Sequence, residues 1–177
     1  MLISIGPDKA SKVTEIVREK RPKVVVELGG YLGYSGILFA HALSQKSSTK
    51  EFHVWSLEFE PEFAKIAEEV ISIAGLSDCI TVVTGSAEKS VHRLKAEGKV
   101  EHIDFLFLDH DEALYQSDLQ VCEDLGLLGK GAMVVADNVI RPGAPVYRAY
   151  VRECGRYESC GVRGLIMPGE FEVSCIC

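Results

Sequence analysis

The stretch Val24-Val25-Val26-Glu27-Leu28-Gly29-Gly30-Tyr31-Leu32-Gly33-Tyr34-Ser35 narrows the folds open to this chain more than any other. Its opening run of β-branched residues is the pattern of a strand buried on both faces, as in a parallel sheet. The run stops at an acidic residue followed by three glycines in five positions, and Gly36-Ile37-Leu38-Phe39-Ala40-His41-Ala42-Leu43 then supplies a helix-length apolar segment. Strand, glycine turn and helix in that order make the nucleotide-binding opening of a doubly wound α/β sheet, where glycine admits a ligand that a Cβ would strike. The spacing is G-G-x-x-G rather than G-x-G-x-x-G, which argues against a pyrophosphate and for a ligand lacking one. The plainer alternative is a glycine turn serving only close strand–helix packing.

The rest of the chain repeats the alternation. Residues 9–20 carry Val13, Ile16 and Val17 at helical spacing and end before Pro22. Residues 44–50 are polar and read as a surface loop. A second strand over 52–57 ends at Glu58, and Glu60-Pro61 opens a helix that runs to about Ala74, with Gly75 as its stop. A third strand, 79–84, leads through Gly85 to Ser86, placed to cap a helix over 87–97. A fourth, 103–108, ends in Asp109-His110-Asp111-Glu112 ahead of a helix over 114–125. A fifth, 133–136, ends in Asp137-Asn138, and a helix to Glu153 follows Arg141-Pro142-Gly143-Ala144-Pro145. Residues 162–167, the turn Pro168-Gly169, and the alternation of Phe171, Val173, Cys175 and Cys177 suggest a closing hairpin. The expected fold is α/β: a doubly wound, mainly parallel seven-stranded sheet with a C-terminal antiparallel hairpin, in one domain over 1–177.

Composition removes several functions. A net charge of −7 argues against nucleic-acid binding and methylation, which need a basic surface. No apolar run approaches the roughly 20 residues of a membrane span, and Met1-Leu2-Ile3-Ser4-Ile5-Gly6-Pro7-Asp8 lacks a basic leader, so a cytoplasmic address and no membrane partner are expected. Six cysteines without a C-x-x-C pair are then expected to be reduced core residues, and zinc is disfavoured.

In an open α/β sheet, ligands collect at the carboxyl ends of the strands. Here that edge carries Glu27, Glu58, Ser86, Asp109 and Asp137-Asn138. Carboxylates there are partly desolvated and need a partner to offset the cost. Glu58 is placed to accept hydrogen bonds from a ribose diol. Asp109, Asp137 and Asn138 cluster if strands four and five are neighbours, and such hard oxygen donors suit Mg²⁺. The bland alternative has Asp109 capping the next helix and Asn138 holding a turn.

Glu27 to Ser35, Leu57-Glu58-Phe59-Glu60-Pro61, Phe107-Leu108-Asp109-His110 and Ala136-Asp137-Asn138-Val139-Ile140-Arg141-Pro142-Gly143 resemble the catechol O-methyltransferase family, in the same order and spacing. The resemblance covers about residues 4–152. It implies a class I methyltransferase fold that uses S-adenosylmethionine and Mg²⁺. By position, Glu58 would hold the ribose; Glu27, Gly29, Tyr31 and Ser35 would line the methionine end, with Ile5 near it. Phe59, Ser86, Ala87 and His110 would surround the adenine, and Asp109, Asp137 and Asn138 would bind the metal. Pro142, with Asp111 and Asn138, would border the flat substrate.

Three departures from the family pattern stand out. The family's base is a lysine three residues after the first metal aspartate, behind an aromatic residue; here Asp111 and Glu112 occupy those positions. Glu112 would lie among like charges that raise a carboxyl pKa, and is the candidate for a less basic general base, a metal ligand or neither. A late glutamate of the family has no counterpart, counting leading instead to Met167. The chain also begins where the family already has helices, so the substrate pocket is expected to be more open, or completed by a homodimer partner or by missing residues. The leading expectation is an Mg²⁺-dependent O-methyltransferase of weak activity on a catechol-like small molecule. The alternative is a catalytically impaired S-adenosylmethionine-binding protein. A nicotinamide-dependent reductase on a similar sheet is disfavoured by the glycine spacing and by the paired acids of strands four and five.

Overall fold

Helix and strand alternate through most of the chain in the computed structural model, which describes residues 7–45, 51–163 and 170–177. The elements are α1 (Pro7–Lys20), β1 (Val24–Leu28), α2 (Tyr34–Ser44), β2 (His53–Glu58), α3 (Pro61–Ile73), β3 (Ile80–Thr84) and α4 (Ala87–Ala96). Then come β4 (Phe105–Leu108), α5 (Tyr115–Asp124), β5 (Met133–Ala136), α6 (Pro145–Glu153), β6 (Tyr157–Arg163) and β7 (Glu170–Ile176). The described residues form a seven-stranded sheet in the order β3-β2-β1-β4-β5-β7-β6. It is parallel from β3 to β5, and β7 pairs antiparallel with both β5 and β6. The expected doubly wound sheet with a terminal antiparallel hairpin is therefore the observed one.

The strands are apolar on both faces because both faces are covered. On one side Ala10, Val13 and Val17 of α1, Phe39 and Ala40 of α2 and Ala67 and Ile71 of α3 pack on Val25, Val54, Phe105, Phe107 and Val135. On the other, Val91 and Leu94 of α4, Leu119 and Cys122 of α5 and Tyr147 and Val151 of α6 pack on Val26, Leu57, Leu106, Leu108 and Val134. Alternate residues of each strand serve opposite layers, so each strand carries two interleaved apolar sets.

Some boundaries differ from the expectation. The helix expected over 114–125 begins as a 3-10 turn, Glu112–Leu114, with α5 following. β6 starts at Tyr157 rather than residue 162, because pairing with β7 from Tyr157 opposite Ile176 overrides a segment of weak strand propensity. Ser86 is the N-cap of α4, but its side chain makes no capping bond, contrary to the expectation. All six cysteines are free, yet only Cys79 and Cys122 are buried; Cys154, Cys160 and Cys177 are exposed, which corrects their reading as core residues. Residues 46–50 of the polar loop and the Pro168-Gly169 turn lie outside the described residues.

The winding reverses between β1 and β4, and there the backbones meet closely. Asp109 N–H donates to Leu28 C=O at 2.9 Å, and Gly29 N–H donates to Leu57 C=O at 2.9 Å. Gly29 has φ +97°, and a Cβ on it would fall well inside contact distance of the Asp109 carbonyl. Gly75 also has a positive φ, +69°, but open space around it. Gly29→Ala should therefore cost about 3 kcal/mol or more, against about 1 kcal/mol for Gly75→Ala, where strain acts alone. Urea denaturation of the two variants checks the difference.

Candidate active site

The carboxyl ends of β1, β2 and β4 open into a cavity of about 720 Å³. Gly29, Tyr31, Ser35, Glu58, Phe59, Ser86, Ala87, Asp109, His110 and Asp111, all singled out in the sequence, line it. Ile5, the remaining candidate at the methionine end, lies outside the described residues.

Each wall has a local cause. Glu58 ends β2 buried, with Oε2 accepting Tyr31 N–H at 2.6 Å and Oε1 accepting Glu60 N–H at 2.9 Å. It thus holds the glycine turn and the start of α3 together. Tyr31 has a positive φ of 44° and meets Phe63 of α3 edge-on at 4.8 Å. His110 donates or accepts through Nε2 with Asp118 of α5 at 2.7 Å, while its Nδ1 is buried with no partner among the described residues.

Glu27 lies beneath the turn, fully buried, with Oε1 accepting the Ser35 hydroxyl and Oε2 lacking a hydrogen-bond partner among the described residues. Gly36 crowds that free oxygen: a Cβ there would lie 2.8 Å from it. Burial pushes the Glu27 carboxyl up to about 7, partly opposed by the Ser35 hydroxyl.

Beyond β4 and β5 the two acids and the amide come together. Asp137 N–H donates to Leu108 C=O, which places the Asp137 side chain beside the end of β4, and Tyr115 Oη donates to the Asp137 carbonyl at 3.2 Å. Asn138 takes a left-handed backbone, φ 56°, and its N–H donates to Asp137 Oδ1 at 2.7 Å. Asn138 Nδ2 faces Asp109 Oδ1 at 3.4 Å. The Asp109 carboxyl is held well above its ordinary range, first by burial and then by Asp137 and Glu27, with Lys9 opposing. Among the described residues no three histidine, cysteine or acidic side chains converge as a metal site; the cluster is two carboxylates and an amide.

Lys9 was invisible to sequence reasoning. It lies in the first turn of α1, yet its Nζ donates to Asp137 Oδ1 at 2.5 Å and to Asn138 Oδ1 at 3.1 Å. A pair 128 residues apart leaves no spacing signal, and a lysine opening an amphipathic helix reads as solvated charge. Only the packing of α1 beside α2 brings it to the sheet edge.

The remaining candidates lie to one side. Asp111 is exposed and accepts Ala113 N–H at 3.0 Å, capping the 3-10 turn. With the half-buried Glu112 it borders a second cavity of about 560 Å³, walled opposite by Gly143, Ala144, Pro145 and Tyr147. Pro142 is exposed in the irregular turn Val139–Gly143.

A doubly wound sheet with its crevice at this switch point is a Rossmann-like architecture. An O-methyltransferase from Bacillus cereus, solved in complex with SAH, superposes with a TM-score of 0.87 at 24% identity, covering 98% of this chain and 83% of that one. The O-methyltransferase family model matches residues 1–150. The chain is 41% identical over 154 residues to catechol O-methyltransferase of Sus scrofa, which is 87% of this chain and 80% of that protein. It is 38% identical over 168 residues to the transmembrane O-methyltransferase homolog of Mus musculus, 94% of this chain and 63% of that one. It spans 55–59% of three further catechol O-methyltransferases. The chain belongs to the O-methyltransferase family. Among the described residues no helix is long and apolar enough to cross a membrane.

The Glu27 carboxyl takes up a proton on folding, so its burial costs least below its ordinary value of 4.5 and stability declines as pH rises through 7. Glu27→Gln should flatten that decline. The variant should match the parent near pH 5 and exceed it by up to roughly 3 kcal/mol near pH 8 in urea titrations.

Proposed function

We propose that this protein is an S-adenosylmethionine- and Mg²⁺-dependent O-methyltransferase acting on a catechol-like small molecule, with weak activity. The observation that carries the reading is the adjacency of a cavity walled by the glycine turn to a cluster of hard oxygen donors, across one strand end, Asp109. Family membership supports the transferred group; the donor chemistry of two carboxylates and an amide supports the metal.

The residue types present suit both groups. The Ser35 hydroxyl suits a polar group at the methionine end, with Gly29 and Tyr31 presenting backbone beside it, and Glu27 supports that wall from beneath by accepting the Ser35 hydroxyl. The buried Glu58 carboxylate suits the ribose hydroxyls, and Phe59, Ser86, Ala87 and His110 border the space for adenine, where the unpaired His110 Nδ1 offers one polar contact. Asp109, Asp137 and Asn138 would hold Mg²⁺, and Asp111, Asn138 and Pro142 border the substrate. When bound, S-adenosylmethionine supplies a methyl group already activated as a sulfonium, and Mg²⁺ supplies charge that favours a deprotonated phenol. The protein then contributes alignment of the substrate oxygen with the methyl group and exclusion of water.

Glu112 is the weak point of the site. A glutamate is a poorer base than lysine for a phenol proton, and its charge disfavours a second anion nearby. That favours a second reading, a binding protein that retains the cofactor but transfers methyl slowly or not at all. The exposed, unpaired cysteines suit a reducing, cytoplasmic compartment.

Isothermal titration should show S-adenosylmethionine binding in the micromolar range, and its failure would remove the cofactor assignment. Labelled-methyl transfer to a panel of vicinal diphenols should be slow and should require Mg²⁺; binding without transfer would establish the second reading. Glu112→Lys should raise turnover roughly a hundredfold with metal binding intact.

A further inference from the structure

Lys9 is buried, 8% exposed, and stands at the start of a helix, where the macrodipole disfavours a cation. Burial of an ammonium is costly unless its charge and hydrogens are met. Here they are met by the very oxygens that form the proposed metal cluster, Asp137 Oδ1 and Asn138 Oδ1. The lysine therefore belongs to the site's electrostatics and not to the helix.

The Asn138 amide is oriented by this contact. Its oxygen faces Lys9 and its nitrogen faces Asp109 Oδ1. An amide ligates a hard cation through oxygen only. For Asn138 and Asp109 to hold one ion together, the amide must turn its oxygen toward Asp109. Its NH₂ group would then face the Lys9 ammonium, donor against donor. The Asp137 Oδ1 atom is likewise engaged, by Lys9 and by the Asn138 N–H at 2.7 Å. A dipositive ion placed among these oxygens would also repel the ammonium in a region of low dielectric.

We propose that Lys9 and a divalent cation compete for the Asp137–Asn138 oxygens, making Lys9 a built-in counter-ion that sets the metal affinity of the site. The inference rests on the reading of Asp109, Asp137 and Asn138 as a divalent-cation site. Lys9 is a positioning residue: the long flexible stem lets the ammonium leave when the amide turns.

Mn²⁺ binding to the full chain, followed by titration calorimetry and by the Mn²⁺ spin-resonance signal, tests the competition. Lys9→Met should bind Mn²⁺ roughly tenfold more tightly than the parent, the scale on which outer partners move metal affinity. The variant should also gain more thermal stability on Mn²⁺ saturation than the parent does, since the buried Asp137 carboxylate loses its one cationic partner among the described residues when the ammonium is removed. In the unmodified protein, acetylation of Lys9 mapped by mass spectrometry should accelerate with added Mn²⁺; this measurement decides the matter should the variant not fold. Unchanged or weaker Mn²⁺ affinity in folded Lys9→Met, or acetylation indifferent to Mn²⁺, overturns the competition while leaving the metal site standing. No Mn²⁺ binding by either protein overturns both.

Discussion

The contact on which the rest of the architecture depends is the meeting of β1 and β4 at their carboxyl ends. Leu28 C=O accepts Asp109 N–H on one side, and Leu57 C=O accepts Gly29 and Gly30 N–H on the other. Gly29 makes this possible because a side chain there would displace the end of β4. Once those strand ends are joined, α2 and α5 must leave toward opposite faces, and the space between their starts is the cavity. The residues that shape it are secondary to that junction. Glu58 can bind Tyr31 and Glu60 only because the glycine turn folds back over β2, and Glu27 can meet Ser35 only because α2 begins directly above β1.

Buried acids in this protein fall into two kinds, and the difference marks the site. Glu172 on β7 is fully buried, with Arg148 and Arg152 donating to its carboxylate from α6, so its charge is met by guanidinium groups within the fold. The acids at the carboxyl edge are compensated less completely. Glu27 meets hydroxyls rather than a cation and has an elevated pKa; Asp109 has neighbours that are mostly acidic; Asp137 is met by Lys9 and the Asn138 N–H. Under-compensated buried charge is costly, and a fold retains it where a ligand supplies the missing partner.

Much of this was legible in the sequence, for reasons that differ by element. Long apolar strands with acidic stops, and glycines at helix ends, are local signals, so the alternation and the edge residues could be read directly. Asp109 and Asp137 could be brought together in advance only on the condition that β4 and β5 are neighbours, as sequential strands commonly are and as these two prove to be. The early start of β6 was hidden because its conformation comes from pairing with β7 rather than from its own residues. The exposure of Cys154, Cys160 and Cys177 was hidden because the hairpin edge leaves them uncovered, which composition does not encode. Lys9 was hidden most deeply, since its role arises from tertiary docking of α1 across the whole length of the sheet-forming chain.

The positive charge that the family pattern would place beside the reacting oxygen has no equivalent on the β4 loop, where Asp111 caps a turn and Glu112 borders the second cavity. Lys9 restores one positive charge to the neighbourhood, but from the opposite side. Its hydrogens are directed at Asp137 and Asn138, so its ammonium is committed to the oxygen donors rather than presented toward Asp111 and Glu112. A cation in that position bears on how the donors are arranged and, on the proposed competition, would set how strongly they attract a metal. A cation thus reaches the oxygen donors from α1, while the β4 loop carries acids where the family pattern has its lysine.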